Sequence, residues 1–290
     1  MYEQFYGLKR QPFEISPDPA FFCPTPRHNE ALASVAHGIQ RRKGFVMITG
    51  EVGTGKTLVA QCLFAFLKRS RIPFAYIFNT RLNASEFLHY VLTDLGIACK
   101  GKSKAELLIE LNNLLVARYK ENSTVVLVVD EAQLLEWKVL EEIRLLTNLE
   151  TANHKLLQIV LIGQPELDVK MELPSLRQVK QRLAFRCRLE PLNERQTREY
   201  VCRRLSMAGG GQQTIFSPEA LSAIYRYSAG IPRLVNTICE NSLIAGYAMR
   251  RAQITAEIVD EVAADFQLNP NLATKKSGPI RTDGAIAARA

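Results

Sequence analysis

Two groups of residues in this 290-residue sequence have the types and spacing needed for phosphate chemistry. The first is Gly50, Glu51, Val52, Gly53, Thr54, Gly55, Lys56 and Thr57, which fits the pattern G-x-x-x-x-G-K-[ST] in full. Glycines at those places let backbone N–H groups converge on phosphate oxygens at the positive end of a following helix. Lys56 would then reach the β- and γ-phosphates of ATP, and the Thr57 hydroxyl would ligate Mg²⁺. With Leu58 the candidate nucleotide-binding stretch runs from 50 to 58. The second group is Asp130 and Glu131, which close the apolar run Val125–Val129. Ligands of open α/β sheets bind at the carboxyl ends of strands, so Asp130 would hold Mg²⁺ through water. Glu131 would orient and polarise the attacking water.

Three further features bear on the same chemistry. The apolar run Leu156–Ile162 ends in Gly163-Gln164-Pro165. If that strand neighbours both earlier motifs, the Gln164 amide could hold the lytic water; otherwise Gln164 caps the short helix after Pro165. Arg177, Arg182 and Arg186 punctuate the stretch Pro174–Arg188. Phosphoryl transfer gains from an arginine on the transferred group, and a neighbouring subunit can supply it in trans. The sequence leaves open which of the three does so and which are surface ion-pair residues. Gly230-Ile231-Pro232-Arg233 opens a helix, with Arg233 either coupling that helix to the nucleotide or solvated in its first turn.

The elements that must position these groups follow from periodicity. Phe45–Thr49, Phe74–Phe78, Val125–Val129, Leu156–Ile162 and Phe185–Leu189 read as short buried strands. Helices are expected between them at about Arg27–Arg42, Thr57–Lys68, Ala84–Leu95 and Val139–Leu149, with a longer one opened by a Ser103/Glu106 capping box. Continuous β-branched strands separated by helices indicate a parallel sheet covered on both faces, a three-layer α/β/α domain. Beyond Pro191 only helices are expected, at Glu194–Ala208, Pro218–Ser228, Arg233–Met249 and Ala256–Phe266, with Asn193, Ser217 and Thr255 as N-caps. The expected divisions are an aromatic and proline-rich arm over 1–26 that is not helical, an α/β domain over 27–190, a small helical lid over 191–268 and a disordered basic tail over 269–290.

Composition adds bounds. With 47% hydrophobic residues the chain can bury a core of this size. No apolar run approaches the roughly 18 residues that cross a bilayer, and the N-terminus lacks a signal-peptide pattern, so a cytoplasmic protein is expected. The six scattered cysteines read as reduced core residues, and with the four histidines standing alone no protein-built metal site is expected. Of the net charge of +8, three units sit in the tail, where Lys275, Lys276, Arg281 and Arg289 face Asp283 alone. The remainder is as compatible with a solvated surface as with DNA.

The ordered motifs Phe5-Tyr6-Gly7-Leu8, Pro12-Phe13, Pro17-Asp18-Pro19, Phe21-Phe22, His28 through Leu32, Gly50–Thr57, Asp130-Glu131-Ala132-Gln133, Gly163-Gln164-Pro165-Glu166-Leu167, Gln181-Arg182 and Gly230-Ile231-Pro232-Arg233 resemble those of the ExeA-type (general secretion pathway protein A) AAA+ ATPases of bacteria. The resemblance covers residues 2 to about 266. It implies a P-loop AAA+ module with a helical lid, Gln164 in the first sensor position, Arg182 as the arginine finger and Arg233 as the second sensor. It also implies an aromatic arm near the adenine and a homo-oligomer in the form of a ring or filament. ExeA-type proteins of type II secretion continue into a membrane span and a peptidoglycan-binding part. This chain stops after the lid, so the resemblance implies a soluble version working with a separate membrane-protein partner of a secretion or export system, peripheral to the inner membrane through it. A DNA-associated AAA+ protein of the transposition-helper or initiator kind is the alternative, and a nucleotide-locked switch, against which Glu131 argues, is the third.

Overall fold

The structure is a computed structural model that describes residues 1–14, 21, 23–78, 81–210 and 214–270. The chain divides into two compact units, one formed by Ser16–Pro191 and one by Met1–Ile15 with Leu192–Ala290. It begins with a single helical turn, α1 (Tyr2–Phe5), and then enters the larger unit.

There, in chain order, are α2 (Pro26–Gln40), β1 (Phe45–Gly50), α3 (Lys56–Arg69), β2 (Phe74–Ile77), α4 (Ala84–Asp94), α5 (Lys104–Lys120), β3 (Val125–Val129), α6 (Trp137–Leu146), β4 (Leu157–Gly163), α7 (Pro165–Met171), α8 (Arg177–Lys180) and β5 (Phe185–Leu189). The five strands form one parallel sheet in the order β2-β3-β4-β1-β5. Side chains alternate across it with the strand period of two. Val46, Ile48, Val126, Val128, Val160 and Ile162 face α2 and α3, with Val59, Leu63 and Leu67 packed on them. Met47, Ile77, Leu127, Val129, Ile159 and Leu161 face the α4–α6 layer and meet Phe87, Leu111 and Ile143. Burying each such side chain stabilises the unit by roughly 1.5–3 kcal/mol, which is why both faces read as unbroken apolar runs. Capping boxes begin α2 (Thr25 with His28), α4 (Asn83 with Glu86) and α5 (Ser103 with Glu106), each satisfying otherwise orphaned amides for about 1 kcal/mol.

The second unit contains α9 (Glu194–Met207), α10 (Pro218–Ser228), α11 (Pro232–Ala248) and α12 (Ala256–Asp265). No strand occurs among its described residues, beyond an isolated bridge between Phe216 and Ile254. Asn193 caps α9 in a capping box with Gln196, and the Ser217 side chain accepts from the Ala220 amide. Thr255 sits at the N-cap position of α12 but its side chain makes no capping bond.

Three expectations are corrected here. The opening stretch is partly helical, because Tyr2–Phe5 precedes the first proline and packs on α11. Nor is 1–26 one arm: its first 15 residues belong with the helical unit and the rest with the sheet unit. Tyr2 donates to Glu240 Oε1 at 2.7 Å, Tyr6 donates to the Arg251 carbonyl at 3.0 Å, and Arg204 Nε donates to the Pro12 carbonyl at 2.6 Å. Phe13, fully buried edge-on to Phe216, is a core residue of this unit. Burial pushes the Tyr6 phenol up to about 12 and raises the Glu240 carboxyl. Lastly, none of the cysteines forms a disulfide, but only Cys187 and Cys239 are buried; Cys202 is exposed and the others are half-buried. Phe22 and all but the first two residues of the expected tail lie outside the described residues. Among the described residues no helix is long and apolar enough to cross a membrane.

Candidate nucleotide-binding site

The strand order makes the site. β4 pairs with both β3 and β1, so the segments leaving the carboxyl ends of the three strands are neighbours: Gly50–Thr57 after β1, Asp130–Gln133 after β3 and Gln164 after β4. That is the condition under which Gln164 meets the earlier motifs.

The loop after β1 turns back through Gly53 and Gly55, at φ +83° and +99°, and delivers the chain into α3. A Cβ on Gly55 would also lie 2.8 Å from His28 Nε2. Starting the helix at Lys56 leaves the first amides, those of Lys56 and Thr57 among them, without acceptors inside it. Lys56 is buried, and its ammonium donates to the carbonyls of Gly50 (2.8 Å) and Glu51 (3.0 Å). Among the described residues it forms no ion pair. Burial lowers its pKa, against the pull of Glu131, Asp130, Glu51 and Glu166. A buried ammonium with one donor left over, beside unpaired helix-start amides, is a donor set suited to a polyphosphate. Thr57 stands exposed at the same helix start.

His28, from the first turn of α2, clamps this loop. Its Nδ1 lies 2.6 Å from Thr25 Oγ1 and its Nε2 lies 2.9 Å from the Thr54 carbonyl. Burial lowers its pKa, keeping the ring neutral with one nitrogen accepting and Nε2 donating.

After β3, Asp130 Oδ1 accepts from the Glu131 amide at 2.8 Å and Oδ2 from the Tyr76 hydroxyl at 3.3 Å. Burial raises the Asp130 pKa, and the Glu131 charge adds to the effect. Two adjacent carboxylates at this strand end suit a divalent cation beside Thr57. Glu131 itself adopts φ +49°, a left-handed conformation that costs a non-glycine residue about 1–2 kcal/mol and that turns its carboxylate away from the strand. Oε2 of that carboxylate accepts from Gln133 Nε2 at 2.6 Å and from Gln164 Nε2 at 3.2 Å. Gln133 Oε1 in turn accepts from the Gln164 amide at 3.0 Å. Gln164 occupies the N-cap position of α7, yet its side chain makes no cap bond; it points to Glu131 instead. Lys170 braces the arrangement from α7 by donating to the carbonyls of Gln133 and Leu135.

The structure thus brings together the loop 50–58, Asp130, Glu131 and Gln164, all within the sheet unit. Sequence reasoning gave no role to His28, Tyr76, Gln133 or Lys170. A glutamine two residues after Glu131 was visible, but nothing in one sequence says that its two ends bridge two loops.

The arginines separate. Arg186 is held by Asp168 (2.8 Å) and Glu172 (3.3 Å), and Asp168 also accepts from Thr49; Arg186 is an ion-pair residue. Arg182 precedes β5, where the Ala184 amide bonds the Phe45 carbonyl. It therefore lies at the amino end of β1, more than about 15 Å along the strand from Gly50. Arg177 is exposed at the start of α8. Arg233 is exposed in the first turn of α11, in the helical unit.

Comparison with known proteins then gives a match between residues 39–171 and the family described as AAA domain. Residues 39–171 therefore carry the sequence pattern of an AAA domain. Outside that region too, the sequence is 45% identical over 249 residues, 86% of its length, to General secretion pathway protein A of Aeromonas hydrophila, and it spans 45% of that relative's length. Among solved structures it is similar to the Drosophila ORC bound to DNA, with a TM-score of 0.67 at 20% identity over 92% of this chain and 66% of that one. It is also similar to the Aeropyrum pernix ORC2 protein in its ADPNP–ADP complexes, with a TM-score of 0.62 at 18% identity over 89% and 71%. At those identities the likeness is one of fold: a P-loop AAA+ sheet unit followed by helices.

Proposed function

We propose that this chain binds Mg-ATP on its AAA domain and hydrolyses it within an assembly of copies of itself, in support of a bacterial secretion or export apparatus. The observation that carries the chemistry is the Glu131 carboxylate held by Gln133 and Gln164, across the sheet's carboxyl edge from the Lys56 loop. Residues 50–58 hold the phosphates through backbone amides, with Lys56 on the β- and γ-phosphates. Thr57 and Asp130 are the residues that would hold Mg²⁺, which when bound neutralises charge developing on the phosphate oxygens. Glu131 accepts a proton from the attacking water, and Gln164 shares in orienting it. Gln133 is a positioning residue that fixes both. Arg182, remote from its own phosphate loop, acts on a neighbour's nucleotide, which makes turnover a property of the assembly. With this goes a sensor role for Arg233, an exposed cation without an acidic partner among the described residues. The secretion role rests on the similarity to General secretion pathway protein A; the membrane-protein partner belongs to that part of the proposal.

ATP turnover per subunit is expected to rise with protein concentration, and Glu131→Gln to lower it by about 10²- to 10⁴-fold while leaving nucleotide affinity intact. Turnover that is flat with concentration and indifferent to Glu131→Gln would refute the proposal. Gln133→Leu is expected to lower kcat about 10- to 100-fold with KM nearly unchanged, since it frees the Glu131 carboxylate without touching the phosphate loop; a matched rise in KM instead would show that Gln133 supports binding.

A further inference from the structure

The edge of the sheet unit opposite the nucleotide site is strongly and almost uniformly basic. Connections entering β2, β3, β4 and β1 lie side by side along it, following the strand order. Arg41 and Lys43 precede β1, Lys68, Arg69 and Arg71 precede β2, and Lys120 precedes β3. All six are exposed and, among the described residues, none has an ion-pair partner. The acids on these connections, Glu121 and Glu150, are already paired with Arg118 and Lys155. The chain as a whole has a net charge of +8, so six uncompensated charges on one edge leave the rest of the molecule close to neutral.

The ordinary reading is that basic residues accumulate at helix C-termini to complement the dipole. Four helices, α2, α3, α5 and α6, end on the connections entering these strands. Their termini supply about half a negative charge each, far short of six cations. Backbone conformation points the same way. Arg42 and Arg71 both occupy the left-handed position after a helix, at φ +52° and +53°, where glycine or asparagine costs least; Asn122 fills the equivalent place after α5. Arg42 is explained inside the unit: it donates to Thr124, Asn122 and the Ser123 carbonyl and covers the Tyr119 ring at 4.5 Å. Arg71 has no such contact to account for it.

We propose that the β2-to-β1 stretch of this edge docks the sheet unit directly on an anionic phospholipid bilayer, leaving the side toward β5, with Arg182, to a neighbouring copy. Its cations are spread in two dimensions, over about 14 Å along three inter-strand spacings and about 20 Å across the helices on both faces of the sheet. They sit on blunt turns, with no helix projecting to enter a groove. Leu145, in the last turn of α6, is the large hydrophobic side chain exposed beside these turns among the described residues, and no exposed Phe, Tyr or Trp joins it there, so the edge lacks the aromatic platform on which unpaired bases stack. A flat field of cations without grooves or stacking surfaces complements a plane of phosphate headgroups, and it leaves the Lys56 loop facing away from the membrane.

The test is co-sedimentation of the full chain with vesicles of phosphatidylcholine alone and of phosphatidylcholine with phosphatidylglycerol at about two to one. Binding is expected only to the anionic vesicles and is expected to weaken with salt. Each basic residue near such a surface multiplies partitioning about fivefold. The combined Arg41→Gln, Lys43→Gln, Arg69→Gln and Arg71→Asn variant should therefore lose several hundredfold, with ATP turnover at any concentration unchanged. Arg71→Asn alone relieves the left-handed strain, so it should bind about fivefold more weakly while melting no lower than the parent. Variant binding equal to wild type would overturn the proposal, placing lipid contact elsewhere in the chain. So would a wild-type protein that ignores vesicles but shifts duplex DNA in a variant-sensitive manner, and so would a change in the concentration dependence of turnover, which would make the edge a contact between copies.

Discussion

An equimolar mixture of the Glu131→Gln and Arg182→Ala proteins is expected to hydrolyse ATP faster than either alone. The expectation follows from where the sheet places the two side chains. Glu131 leaves the carboxyl end of β3, whereas Arg182 lies beside Phe45 at the amino end of β1. No side chain spans that separation within one sheet, so an arginine at this place serves a nucleotide held by another copy. In a head-to-tail assembly of randomly mixed subunits, about a quarter of the interfaces join an intact Glu131 on one side to an intact Arg182 on the other. Turnover plotted against mixing ratio should peak near equality at about that fraction of wild type, with the parent variants each down by 10²-fold or more. A mixture that stays at the floor at every ratio would remove Arg182 from the mechanism. Arg177, exposed one helix turn upstream, would then be the residue to substitute.

The second large effect concerns stability. Gly230→Ala is expected to cost more than about 3 kcal/mol, because two independent penalties coincide. Gly230 has φ +73°, where a side chain costs about 1–2 kcal/mol. A Cβ there would also fall 1.8 Å from the Leu192 carbonyl oxygen and 2.7 Å from its carbon, and Gly230 accepts a 2.8 Å bond from the Leu192 amide, so the overlap cannot be relieved without breaking the bond that ties the start of α11 to the segment before α9. The helical unit should melt at least about 10 °C lower, seen as loss of hydrogen-exchange protection in α9 to α11 while the sheet unit keeps its own. Unchanged protection would mean that this contact is not made in solution.

How much of this was legible depends on how local each cause is. The central strands β1, β3 and β4 could be read from runs such as Val125–Val129 because burial on both faces leaves little but apolar residues to see, whereas the edge strand β5 alternates with the exposed Arg186 and Arg188. The phosphate loop was legible because its glycines and lysine are demanded by backbone geometry within eight residues. The Ser103, Asn193 and Ser217 caps were legible for the same reason, whereas Thr255 has the cap's residue type and place without its bond. What escaped is what tertiary contact decides. Whether Gln164 caps its helix or faces Glu131 depends on Gln133, which lies 31 residues away in sequence and one strand away in space. His28 steadies a loop that begins some twenty residues later. Arg186 and Arg182 look alike in sequence, and only the fold shows that the former is bonded to Asp168 and Glu172.

The helical unit is assembled from both ends of the described chain, with Tyr2, Tyr6, Pro12 and Phe13 bonded or packed against helices that begin near 194. The sheet unit is in effect an insertion in it. A ribosome therefore releases a complete AAA sheet before the helical unit has its last residue, and Tyr2, Tyr6 and Pro12 must wait for partners that emerge 192 to 245 residues later. Refolding should show the same order: contacts inside the sheet unit close over shorter stretches of chain, while the Tyr6–Arg251 and Tyr2–Glu240 bonds close the longest loops among the described residues and carry the greatest entropic cost. For anyone dissecting the protein, cutting at residue 192 would not isolate the helices. It would strip them of one of their own layers.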